Sequence, residues 1–117
     1  MPVANMLIER RTFAKERGTD LIQSDEESPA LTQEFMVANR MGIHARVAAQ
    51  IVKVASRFNA EVCIAKSDVA ANAKSILDVM SLFCPYGSKV FVSARGPDAT
   101  EALSALAALF QTKFGEP

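Results

Sequence analysis

In a chain of 117 residues, 13 basic and 13 acidic side chains cancel, so no charge excess draws nucleic acid or a membrane surface as a general partner. Half the residues are apolar, enough for one domain with a buried core but not for two comfortable ones. Cys63 and Cys84 are widely spaced and the chain has one histidine, so no metal and no cofactor is expected. There is no signal-peptide core and no apolar run of bilayer length, which makes a cytoplasmic protein without membrane insertion the simplest expectation.

Residues 1–30 differ from the rest. Met6-Leu7-Ile8 leads into a mixed charged run to Arg17, and Ser24-Asp25-Glu26-Glu27-Ser28-Pro29 has the composition of a solvated acidic linker. We expect a mobile or loosely docked extension over 1–30 and a folded domain over 31–117. From Gln33 to Ala38, Phe35 and Val37 alternate with Glu34 and Met36, the pattern of a strand with one buried face.

Asn39-Arg40-Met41-Gly42 is a loop, and behind it Val47, Ile51, Val54 and Phe58, widened by Ala48 and Ala55, fall on one helical face. That helix is expected to end near Phe58-Asn59. Glu61 to Lys66 alternates again, Ser67-Asp68 turns, and Val69 to Ala73 is a weaker second strand. Ser75 followed by Asp78 gives the cap signature of a short helix running to about Phe83, stopped by Cys84-Pro85-Tyr86-Gly87. Of Ile76, Leu77 and Met80, one is expected in the core. Lys89 to Ala94 is a strand with Val90, Val92 and Ala94 inward and Phe91 on the opposite face. Asp98 is expected to cap a last helix carrying Ala102, Leu103, Leu106, Leu109, Phe110 and Phe114. Half-apolar strands in the order βαββαβα predict an α+β open-faced sandwich: a four-stranded antiparallel sheet with three helices on one face.

The chemistry concentrates at Met41-Gly42-Ile43-His44-Ala45-Arg46-Val47. The lone histidine sits where a helix opens, and the first backbone amides of a helix lack internal partners and carry partial positive charge. Such a place accepts a phosphate and favours a neutral, nucleophilic ring. The amides of Ala45, Arg46 and Val47 and the Arg46 guanidinium are the candidate holders of phosphate oxygens. Read alone, a histidine beside a helix start is also an ordinary cap or surface residue. Ser75 has a complete structural explanation as a cap, yet the same position would tolerate a phosphate, and the apolar residues after it suit a docking surface.

Three segments together resemble HPr, the histidine-containing phosphocarrier family of the bacterial sugar phosphotransferase system. Asn39-x-x-Gly42-Ile43-His44-Ala45-Arg46 is similar to its active-site motif. Ala73-Lys74-Ser75-Ile76-Leu77-x-Val79-Met80 resembles its regulatory-serine segment, and Ala94-x-Gly96-x-Asp98-Ala99-x-x-Ala102-Leu103 resembles the start of its last helix. The resemblance covers roughly residues 32–115. It implies that His44 accepts a phosphoryl group, at Nδ1 in this family, from phosphorylated enzyme I and passes it to an enzyme IIA component, with Arg46 steadying the oxygens. It further implies that Ser75 is the target of an HPr kinase/phosphorylase and that Ala49, Ile76, Leu77 and Met80 form the docking surface. The carrier is expected to be a monomer and a relay intermediate rather than a stand-alone enzyme. Most members have proline after the arginine, where this chain has Val47, which leaves one more N–H and a looser turn. The alternative on the same fold is a regulatory binding module acting through Ser75 on enzymes or transcription regulators.

Overall fold

A computed structural model of the chain describes residues 30–117. The expected extension lies outside the described residues, apart from Ala30. Four strands, β1 (Leu31–Met36), β2 (Glu61–Lys66), β3 (Val69–Asn72) and β4 (Lys89–Arg95), form one antiparallel sheet in the order β1-β4-β2-β3. Three helices, α1 (Ala45–Ala55), α2 (Ile76–Ser81) and α3 (Ala99–Gln111), cover one face. The α+β open-faced sandwich in the order βαββαβα is therefore the observed architecture.

Alternation in the sequence becomes two-sidedness in the sheet. Val90, Val92 and Ala94 of β4 are buried beneath the helices, as are Val62 and Ile64 of β2, while Phe91 looks outward. The register pairs Phe35 with Val90 and Ile64 with Val92, so the inward rows of β1, β4 and β2 line up under α1 and α3. β1 starts and ends two residues earlier than its alternation suggested. Val37 nevertheless stays in the ladder, donating to Ser88 O and accepting from Gly87 N, and it is fully buried.

Helix ends depart further from the sequence pattern. α1 stops at Ala55 because Arg57 and Phe58 donate to carbonyls three residues back, which tightens the chain out of the α-helix. α2 stops at Ser81 for the same reason: Leu82 and Phe83 make three-residue closures, and Phe83 then enters the left-handed region at φ 56°. None of Ile76, Leu77 and Met80 is core; the one inward position of this short helix is Val79. Asp98 stands at the cap position of α3, but at φ −104° and ψ 21° it lacks the extended backbone that would turn its side chain back on the helix. Its carboxylate instead accepts from Asn59 N at 2.7 Å, tying the loop before β2 to the start of α3.

Phe114 is buried, though not by continuing α3. The helix ends at Gln111, and a tight turn over Lys113–Gly115 reverses the chain, with Lys113, Phe114 and Gly115 all at positive φ (55°, 57° and 77°). Phe114 packs edge-on against Phe110, which stacks on Phe35 with ring centroids 4.6 Å apart. This turn brings the last residues back to α1 and the loop before it.

Candidate functional site at the start of the first helix

Gly42 builds the site's backbone. It lies at φ +72°, and a Cβ there would stand 2.5 Å from Cys84 O, so only glycine fits both the torsion and the space. Gly42 N donates to Asn39 O to close a turn, and Ile43 N donates to Cys84 O at 2.9 Å, fastening the loop to the segment that follows α2. His44 emerges from this anchored loop in extended conformation and is the first residue outside α1; its carbonyl accepts from Ala48 N. Its side chain makes no cap bond. Among the described residues, no side chain occupies the amides of Ala45, Arg46 and Val47.

Val47, which stands where most family members have proline, is fully buried, as are Ala48 and Ile51 of the same helix. The Arg46 side chain, in the first turn of α1, is 75% exposed. Ala49 is exposed on α1, and Ile76, Leu77 and Met80 are exposed on α2, which packs against α1. Ser75 caps α2 as expected, its Oγ accepting from Asp78 N at 3.3 Å. The reciprocal half of the capping box is absent, because Ser75 N donates to Asn72 O instead.

Two participants had no role assigned to them from the sequence. The first is Asn39, fully buried beneath the loop: its Nδ2 donates both to Gly42 O (2.7 Å) and to Glu116 Oε1 (2.9 Å). Both neighbours are acceptors, which fixes the orientation of the amide, and Oδ1 is left without a partner. The second is Glu116 itself. Its two carboxylate oxygens each lie 3.0 Å from His44 Nε2, and Arg46 is 3.9 Å away. The terminal segment is pinned further by Gln50 Nε2 donating to Phe114 O and by Arg40 N donating to Pro117 O. Asn39 stood within the motif; nothing in the local sequence marked Glu116.

The His44 ring and then the Asn39 amide hold the Glu116 carboxyl below the usual glutamate range, aided by the charges of His44 and Arg46 and opposed by partial burial. A depressed folded-state value makes this contact stabilising above about pH 4.3, the ordinary glutamate value, and lost as pH falls through the lower folded one. In a carbon-detected NMR titration, the Glu116 carboxyl should therefore change below the ordinary glutamate range, with the His44 ring signals moving in the same step. A titration at the ordinary value would contradict the clamp.

The ring thus presents Nε2 to a carboxylate, and among the described residues nothing hydrogen-bonds to Nδ1. A family model described as "PTS HPr component phosphorylation site" matches residues 31–112. The phosphocarrier protein HPr of Treponema pallidum is 46% identical over 80 residues, which cover 68% of this chain and 91% of that protein. HPr of Cupriavidus necator is 37% identical over 86 residues, 74% of this chain and 97% of that one. The crystal structure of HPr-C-His from Thermoanaerobacter tengcongensis superposes with a TM-score of 0.72 at 40% identity, covering 74% of this chain and 98% of its own. The matched range of the family model ends at Thr112, before the left-handed turn and Glu116.

Proposed function

The chain belongs to the HPr family of phosphocarriers of the phosphotransferase system, and from that premise we propose that His44 accepts a phosphoryl group at Nδ1 from phosphorylated enzyme I and hands it to an enzyme IIA component. The observation that carries the reading is the ring's placement: an Nδ1 with no described partner, at a helix start whose amides no side chain caps. Those amides, of Ala45, Arg46 and Val47, receive the phosphoryl oxygens, and the exposed Arg46 guanidinium closes over them. The site is shallow, which suits a carrier: a pocket that bound the phosphoryl group tightly would slow its release. Partners dock on the apolar surface of Ala49, Ile76, Leu77 and Met80, joined by Met41 and Phe83, which are at least three-quarters exposed. The carrier acts as a monomer in the cytoplasm, where phosphoenolpyruvate is made. Among the described residues, no helix is long and apolar enough to cross a membrane.

The test incubates the full chain with enzyme I and phosphoenolpyruvate. One phosphate per chain, lost in acid and kept in base, is expected. An unmodified chain, or an acid-stable phosphate alone, would overturn the relay.

Ser75 adds the regulatory reading. Its hydroxyl stands at the start of α2, directly before Ile76 and Leu77 and one turn from Asp78. A phosphate placed there by an HPr kinase/phosphorylase sets a second negative charge beside Asp78 and in the middle of the docking surface. Ser75→Asp should raise the KM for phosphorylation by enzyme I roughly 5- to 100-fold, the range of an ordinary coupling free energy, with little change in the maximal rate. An unchanged KM would remove Ser75 from the enzyme I surface.

A further inference from the structure

The Glu116 carboxylate is surrounded by donors. Asn39 Nδ2 contacts Oε1, Arg46 approaches Oε2, and both oxygens are within hydrogen-bond distance of His44 Nε2. An ionised carboxylate only accepts, so the ring nitrogen that faces it carries the proton. A proton on Nε2 leaves the lone pair of the neutral ring on Nδ1, the nitrogen that among the described residues has no hydrogen-bond partner. We propose that Glu116 is a positioning residue for phosphoryl transfer, its carboxylate keeping the His44 proton on Nε2 so that Nδ1 is the nucleophile and the ring departs as a neutral imidazole. The inference rests on the reading of His44 as the phosphoryl acceptor.

The steps balance. The Nδ1 lone pair forms the N–P bond as the bond from phosphorus to the donor's nitrogen breaks, and that electron pair leaves with the donor. The proton on Nε2 stays, so the ring is momentarily a phosphorylated imidazolium, and its positive charge lies 3.0 Å from a carboxylate. In the forward transfer a lone pair of the acceptor forms the new bond to phosphorus as the N–P bond breaks, that bond's electron pair returns to Nδ1, and the neutral ring remains with its proton still on Nε2. Without that proton the leaving group would be an imidazolate, a far poorer one. The arrangement is the carboxylate–histidine pairing by which hydrolytic triads fix a tautomer and stabilise the imidazolium. Here the carboxylate arrives on a turn that lies beyond the range matched by the family model. A depressed carboxyl value is consistent with the ionised form that this requires.

The chain has one histidine, so its ring nitrogens can be read without assignment in an untagged, uniformly 15N-labelled sample. In long-range 1H–15N spectra at about pH 8, where a histidine ring is neutral, wild type should show the Nε2–H tautomer in large excess. Glu116→Ala should shift the mixture towards the proportions of a free imidazole. Phosphoramidate, which needs no enzyme I, should modify wild type at Nδ1 only and Glu116→Ala at both nitrogens. Phosphorylation by enzyme I should fall roughly ten- to a hundredfold in the variant, the usual cost of losing a carboxylate that orients a histidine. An Nδ1–H tautomer in wild type would overturn the proposal without recourse to any variant. So would unchanged tautomers and isomers in Glu116→Ala. Failure of enzyme I to phosphorylate wild type would instead strike the relay reading, and the tautomer and phosphoramidate results would still judge Glu116.

Discussion

His44→Ala takes up no phosphate from enzyme I and phosphoenolpyruvate, while its fold and melting temperature stay close to wild type. The loss is complete because an alanine offers no nucleophile, and among the described residues the chain supplies no second histidine to substitute. The fold survives because the ring performs little structural work: it makes no cap bond to α1, and its one side-chain partner, Glu116, is held independently by Asn39. The stability change should be within about 1 kcal/mol. Mass spectrometry under basic conditions reads the phosphate and a thermal melt reads the fold. A phosphate retained on His44→Ala would place the acceptor elsewhere, and a collapse of the fold would make the ring a structural residue after all.

Gly42→Ala acts through the opposite route and should be the most damaging single substitution near the site. The new Cβ would meet Cys84 O at 2.5 Å and Pro85 Cα at 2.8 Å, backbone atoms that no side-chain motion can relieve. The positive φ adds strain of its own. Together they cost about 2–5 kcal/mol, a melting temperature lower by roughly 10–25 °C for a domain of this size. Transfer should fall as well, because the carbonyl that Asn39 holds and the amide that Cys84 accepts belong to the displaced loop. A melt within two or three degrees of wild type, about half a kcal/mol, would mean that the loop yields more readily than its contacts imply.

Much of this was readable in the chain. Strict alternation in β2 and β4 and the four-three-four spacing in α1 set the period, and period decides which elements form and which faces they bury. The ends of elements were not readable in the same way. α1 and α2 finish in three-residue closures, which depend on how the following loop is pulled rather than on any residue type. α2 has one inward side chain, Val79, and its apolar neighbours Ile76, Leu77 and Met80 stay exposed although the helix packs against α1. Asp98 carried a cap signature, but its carboxylate serves a loop distant in sequence. At the site, a glycine, a histidine and an arginine within five residues marked the start of α1, which carries no side-chain cap bond. The glutamate that completes it lies 72 residues from the histidine and is delivered by torsions no local pattern encodes.

Those torsions settle how firmly the carboxylate must hold. Lys113 and Phe114 wind against the hand that ordinary residues prefer, at a cost on the order of 1–2 kcal/mol each. Seating the Phe114 ring against Phe110 offsets much of it, since burying a phenylalanine contributes roughly 1.5–3 kcal/mol. The strut that carries Glu116 is thus held by a buried ring at its base as well as by the polar contacts at its tip.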